Sequence, residues 1–104
     1  MSFEYLCKRI LNAWREASRY DKTLCLLGKI YTKEILKIND YRSISDFEFS
    51  FYSQFGDDGI IQFLINTLEI ENKYFIEFGV GDYSESNTRF LLVNNNWSGF
   101  VMDD

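Results

Sequence analysis

The stretch Tyr74-Phe75-Ile76-Glu77-Phe78-Gly79-Val80-Gly81-Asp82 decides how this chain is read: an apolar run with one carboxylate inside it, closed by two glycines. Aromatic and β-branched residues around that one acid suit a strand buried on both faces of a parallel sheet, which is what Tyr74 to Phe78 is expected to form. Burying Glu77 there costs free energy unless its charge meets a partner, so a partner is expected. Gly79 and Gly81 tolerate positive φ, and without a Cβ they let the backbone turn sharply and approach a ligand.

Toward the C-terminus, Ser84, Ser86, Asn87 and Thr88 offer N-cap side chains for a helix carrying Phe90, Leu91, Leu92 and Val93. Asn94-Asn95-Asn96 is turn-prone, and Gly99-Phe100-Val101-Met102-Asp103 reads as a second short strand ending in an acid. Strand, glycine turn, helix, strand and acid make a βαβ unit of an α/β fold. In such a unit the ligand sits beyond the carboxyl ends of the strands, and the acid accepts hydrogen bonds from ribose hydroxyls. The separation of Gly81 from Asp103 is close to the ~20 residues expected between a glycine turn and a ribose-binding acid. A dinucleotide fingerprint would place a third glycine at position 84, where Ser84 stands, so a pyrophosphate fits poorly. A nucleoside cofactor without phosphates, such as S-adenosylmethionine, fits better: its ribose suits Asp103 and its methionine end suits a glycine turn beside a carboxylate.

Four short motifs then stand together: Ser53-Gln54-Phe55-Gly56-Asp57-Asp58-Gly59-Ile60, Phe75-Ile76-Glu77-Phe78-Gly79, Ser86-Asn87-Thr88, and Asn96-Trp97-Ser98-Gly99-Phe100-Val101-Met102-Asp103. In their order and their gaps they resemble the FkbM-type methyltransferases, over the second half of the chain from about Tyr52 to Asp104. The resemblance implies a class I, Rossmann-like fold that binds S-adenosylmethionine and passes its methyl group to an acceptor, commonly a sugar or another small hydroxylated molecule. Residue by residue, Glu77, Gly79 and Gly81 match the first-strand cofactor motif, Asp103 matches the ribose acid, and Gln54 matches a glutamine that borders the cofactor pocket. Asn87 and Asp58 fall within the matched motifs and are expected at the same site. The chain departs from the pattern at Asp57, where the family has Glu, at Asp104, where a small residue or Pro is common, and at Tyr83, where many class I members have a third glycine. The implied reaction is in-line attack by an acceptor oxygen or nitrogen on the sulfonium methyl group, driven largely by positioning. The acceptor site and any base belong to later strands, so no catalytic residue is named.

Length sets the architecture. At 104 residues, 46% of them apolar, the chain can bury only a modest core. A doubly wound methyltransferase domain needs about seven strands and about 200 residues. The expected fold is therefore partial: the first βαβ unit of a Rossmann-like domain over residues 51–104, truncated after its second strand and inactive alone. The outer edge of the first strand would lack a partner, and two strands are marginal by themselves.

Residues 1–50 read as a helical extension and a connection. Phe3, Leu6, Cys7, Ile10, Trp14 and Ala17 recur at three- and four-residue steps, with Lys8, Arg9, Asn12, Arg15, Glu16 and Arg19 opposite. A second pattern follows through Leu24, Leu27, Ile30 or Tyr31, Ile35 and Ile38, with Asp21 as its N-cap, which predicts a helical hairpin. Both stripes are expected to pack on one another and on the sheet; the sharper reading is a dimerisation face that makes a homodimer through the N-terminal helices. Residues 39–50 lack periodicity and are expected to be the connection. Asp57 and Asp58 fall in the first turn of a helix through Ile60, Ile61, Leu64, Ile65 and Leu68, where acids suit the helix dipole. At least one of the two is expected to be structural, Asp58 being the better candidate for the site.

Composition removes other classes. A net charge of −5 without a clustered basic patch speaks against nucleic acid as a partner. No apolar run of about 18 residues and no basic leader is seen, so no membrane association is expected and a cytoplasmic location is. Cys7 and Cys25 lack CxxC spacing and are expected to be free thiols. The absence of histidine removes the commonest general base and metal ligand from this stretch, and no metal site is expected. Two further readings are a nicotinamide-binding Rossmann fragment of an oxidoreductase, against which Tyr83 and Ser84 speak, and a non-enzymatic association module built on the N-terminal helices.

Overall fold

The computed structural model describes residues 2–103, apart from the side chains at 17 and 18, so Asp104 and the Ala17 side chain lie outside the described residues. Along the chain run α1 (Phe3–Ile35), a 3-10 turn (Ile44–Phe47), α2 (Asp57–Thr67), β1 (Tyr74–Phe78), α3 (Arg89–Asn95) and β2 (Ser98–Met102). The fold thus joins a helical N-terminus to a parallel sheet of two strands.

The expected hairpin is a single helix of 33 residues. It begins where the Ser2 hydroxyl accepts the Tyr5 N–H at 3.2 Å, with Glu4 in the first turn and Lys33 in the last, all favourable to the helix dipole. Asp21 does not cap a second helix, because nothing around it stops the first. There is no proline in the chain and no glycine before Gly28, and the Thr23 hydroxyl donates to the Arg19 carbonyl at 3.0 Å inside the same helical ladder.

The two halves of α1 meet different surroundings. In the second half Gly28, Thr32 and Ile35 are buried, and a methyl group at Gly28 would lie 2.8 Å from the Phe90 ring, so the helix sits close against α3. In the first half Phe3, Leu6, Ile10 and Trp14 are all exposed, and of the second stripe Leu27, Ile30, Tyr31 and Ile38 are exposed as well with Ile35 alone buried, which corrects the expectation that both stripes pack within the chain. The protein extends over 60 × 33 × 24 Å as a result. Among the described residues no helix is long and apolar enough to cross a membrane.

Residues 39–50, expected to be only a connection, supply the centre of the core. Phe47 is buried and stacks on Phe63 with ring centroids 4.0 Å apart, while Tyr41 meets both rings edge-on. Phe49 bridges to α1 through Tyr31 and to α3 through Phe90. Offset and edge-on ring pairs of this kind add about 0.5–1.5 kcal/mol each beyond area burial. Gly59 makes the close approach possible: a side chain there would collide with the Phe47 carbonyl, and its N–H donates to the Phe49 carbonyl at 3.0 Å. A reciprocal amide pair, Gln62 to Asn95 at 2.7 Å and back at 3.2 Å, ties α2 to α3.

β1 and β2 pair in register from Tyr74↔Ser98 to Phe78↔Met102, and the Gly79 N–H extends the ladder to the Met102 carbonyl at 2.7 Å. β1 is covered on one face only, contrary to the expectation of burial on both. Phe75 and Glu77 turn toward α3 and are half-buried, whereas Tyr74, Ile76 and Phe78 are exposed, Phe78 at 72%. β2 is exposed along its length.

Candidate functional site

Beyond the carboxyl end of β1 lies a cleft of about 360 Å³, the place where an α/β sheet presents ligands. Its walls come from four local structures. The strand end supplies Glu77 and Gly79, the loop before α2 supplies Gln54 and Phe55, α2 supplies its first residue, Asp57, and the loop before α3 supplies Glu85, Ser86 and Asn87.

Glu77 organises the last of these. One carboxylate oxygen accepts the Asn87 N–H at 2.8 Å; the other accepts the Thr88 N–H at 3.1 Å and the Thr88 hydroxyl. The strand acid thus caps α3 from ten residues away in sequence, satisfying N–H groups that a helix start leaves without intrahelical partners. This explains locally why a half-buried charge is stable in β1. A carboxylate offers about four acceptor positions, so the three in use leave room for a further donor.

The glycine turn takes the predicted form, with φ of 71° at Gly79 and 56° at Gly81. A side chain at either would meet nothing within 4 Å, so these glycines are required by backbone conformation rather than by crowding. Tyr83 has φ of 66°, a conformation that favours glycine, at the position where the resemblance expects one. It is held by its hydroxyl, which donates to the Thr88 oxygen at 2.9 Å. Arg89 fastens the same loop, donating to the Tyr83 and Ser84 carbonyls at 3.2 Å and lying 4.3 Å from the centre of the Tyr52 ring. Burial of Tyr52, followed by the nearby Cys25, pushes the phenol pKa up, and Arg89 opposes them. At the turn itself, Asp82 accepts from the Ser84 hydroxyl and N–H, and these bonds hold its carboxyl below the usual range.

Of the residues singled out from sequence, Gln54, Glu77, Gly79 and Asn87 line the cleft together. Asp103 lies outside its lining but follows Met102, the partner of Phe78 in the ladder, and so stands alongside Gly79 at the same end of the sheet. Gly81 shapes the turn without reaching the cleft wall. Asp58 belongs elsewhere: it is 1% exposed, and one of its oxygens accepts the N–H groups of Phe51, Tyr52 and Ser53 at 2.6, 2.7 and 3.0 Å. In return the Ser53 hydroxyl accepts the Asp58 N–H at 2.8 Å. Asp58 closes the loop before α2, and of the paired acids it is Asp57 that faces the cleft.

Sequence reasoning missed Glu85 and Phe55. Glu85 accepts a hydrogen bond from Gln54 across the cleft mouth, bridging two loops 31 residues apart. No local pattern announces such a pair. Phe55 is 85% exposed at the rim with φ of 56°, a strained conformation for a bulky residue. The signal for it was an aromatic residue set between polar residues and Gly56. With Asp57, Glu77 and Glu85 and no basic side chain among the lining residues, the cleft is a cation-favouring environment. No family model, no curated protein and no solved structure matches this chain.

Proposed function

We infer that this chain is the N-terminal part of an S-adenosylmethionine-dependent methyltransferase of the FkbM type, with a partial Rossmann-like fold. One observation carries the reading. A half-buried carboxylate at the end of a parallel strand caps the following helix and borders a cleft that opens over a positive-φ glycine turn. The residues fit the cofactor. Its sulfonium and ammonium charges suit Glu77, Glu85 and Asp57, and its ribose suits Asp103 at the neighbouring strand end. Bound there, the cofactor supplies an electrophilic methyl group; the chain's part is to bind and orient it, by acid side chains and by the open backbone of Gly79. The acceptor is a small hydroxylated or sugar-like molecule.

The test is a calorimetric titration of S-adenosylmethionine into the chain and into Glu85→Gln and Asp103→Ala, with a nicotinamide dinucleotide as the competing ligand. The expected result is saturable binding that both substitutions weaken about tenfold, as loss of one charge-assisted contact of about 1.4 kcal/mol implies. Equal affinity in both variants, or binding of the dinucleotide alone, overturns the reading. A non-enzymatic association module is the second reading, favoured by the bare apolar residues at the start of α1.

A further inference from the structure

Every described residue of α1 before Leu24 is exposed, Phe3 at 82% and Ile10 at 61%. Their order is regular. Counted in sevens, Phe3, Ile10, Ala17 and Leu24 fall on one position, and Leu6, Ala13 and Tyr20 fall three residues later. That spacing is the pattern of a helix that makes a seam with another helix. Lys8, Arg15 and Lys22 also recur in sevens, on the side away from the seam, where a paired helix meets water. At about 100° per residue, Phe3, Leu6 and Ile10 point the same way as Gly28, Thr32 and Ile35. Those three are buried against the rest of the chain, so the seam continues the covered face of α1 past the end of the body.

We propose that two copies of this chain pair through residues 3–20 of α1 as an antiparallel two-stranded coiled coil. Sterics select the direction. A parallel partner would follow the seam into α3, whose Phe90 ring already lies against Gly28. An antiparallel partner that sets Phe3 against the partner's Tyr20 overlaps about 27 Å of helix. It stops one turn before Leu24, where α1 first becomes half-buried. Charge selects the register. Ile10 then meets the partner's Ala13, large against small, and Arg9, which flanks the seam, faces the partner's Glu16, twice by the two-fold. One heptad less overlap sets Arg9 against Arg9; one heptad more sets Glu16 against Glu16 and drives the partner into the body. Residues 3–16 carry three bases and two acids, so the placement of these charges decides rather than their sum. Phe3, Leu6, Ile10, Trp14 and Tyr20 offer on the order of 600 Å² per copy. The pair reaches about 1,200 Å², where stable interfaces begin. A flat bilayer is a poor occupant: laid on the seam it would run into the body, and Lys8 and Arg15 would point away from its headgroups.

No residue of the sheet takes part, so the interface is independent of what lies against β1 and β2 in a longer domain, and of the cofactor reading. Light scattering and sedimentation across a concentration series of the chain should give twice the 12.4 kDa chain mass. Ile10→Glu should weaken association at least about 30-fold, the scale of a buried hot-spot residue, with helical circular dichroism retained because Ile10 is exposed within one copy. Arg9→Glu and Glu16→Arg should each weaken it about tenfold, since two attractive pairs become repulsive. Mixing these two variants restores an acid opposite a base at both pairs, so the mixed dimer should recover the affinity of the unsubstituted chain. That recovery is specific to the antiparallel register. A monomer at every concentration, a dimer indifferent to both charge reversals, no recovery on mixing, or a monomer that instead pellets with anionic phosphatidylserine vesicles overturns the proposal.

Discussion

Asp58 and Glu77 each gather consecutive backbone N–H groups, the first from Phe51, Tyr52 and Ser53, the second from Asn87 and Thr88. One is sealed in the core, and the other stands half-buried in the wall of a cleft. The same device thus does two jobs. Asp58 has no access to anything beyond its own loop, so its contacts contribute to the fold alone. Glu77 fixes the start of α3 and, from the same position, can present an acceptor to a bound cation. A carboxylate that gathers backbone N–H groups is therefore not by itself a ligand signal; placement at the carboxyl end of a parallel strand is what puts Glu77 where an α/β sheet presents ligands.

Removing either acid breaks the comparison at a different point. Asp58→Ala strips three N–H groups of a charged acceptor and leaves them near the core without a partner, so it should cost about 3 kcal/mol or more. Urea unfolding followed by circular dichroism measures this, and a loss under about 1 kcal/mol would mean that residues 51–53 hold their shape without the clamp. Glu77→Gln keeps the shape and loses the charge. Its expected cost to stability is smaller, about 1–2 kcal/mol, because solvent reaches the site. Unlike Asp58→Ala, it should also lower affinity for a cationic nucleoside in calorimetry at a temperature where both proteins are folded. Equal losses of binding in the two variants would dissolve the distinction.

The strand–turn–helix–strand unit was legible because each signal is local: an apolar run, glycines needing positive φ, a polar cluster before an apolar helix. Glu77 was legible as an anomaly, but its partners were not, since Asn87 and Thr88 come ten and eleven residues later on another element. The long helix was misread at Asp21, because an N-cap residue type is equally tolerated on the exposed side of an uninterrupted helix. The aromatic core around Phe47 was invisible for a different reason. Ring packing in an irregular segment has no period, and its partners Phe63 and Phe90 are supplied by α2 and α3. Gln54 was read from a motif, while Glu85, its partner across the cleft, follows only from the fold.

Within the Glu77 clamp the comparison can be sharpened by one atom group. Thr88→Val removes the hydroxyl that donates to Glu77 and accepts from Tyr83, but leaves the Thr88 N–H in place. The expected cost is about 1 kcal/mol, below that of Glu77→Gln, and a larger loss would show that the hydroxyl rather than the backbone carries the cap. Thermal unfolding of the two variants side by side decides it.

Asp82 extends the series to full exposure, and its effect should be the smallest. It accepts the Ser84 N–H at 2.9 Å and the Ser84 hydroxyl at 2.6 Å, the same kind of contact that Asp58 and Glu77 make, but in open solvent. Those bonds lower its pKa from the ordinary 3.8. A carboxylate whose folded pKa lies below its unfolded value stabilises the fold above the unfolded value, and the contribution fades as pH falls through the folded one. The difference in unfolding midpoint between the wild type and Asp82→Asn should therefore be small and constant from neutral pH down toward 3.8, then shrink to nothing in stronger acid. A difference that grows on acidification would mean that the Ser84 bonds favour the protonated acid instead. Screening by salt should shrink it further, while the sealed contacts of Asp58 should be indifferent to ionic strength, which separates a carboxylate that organises a loop from one that merely decorates it.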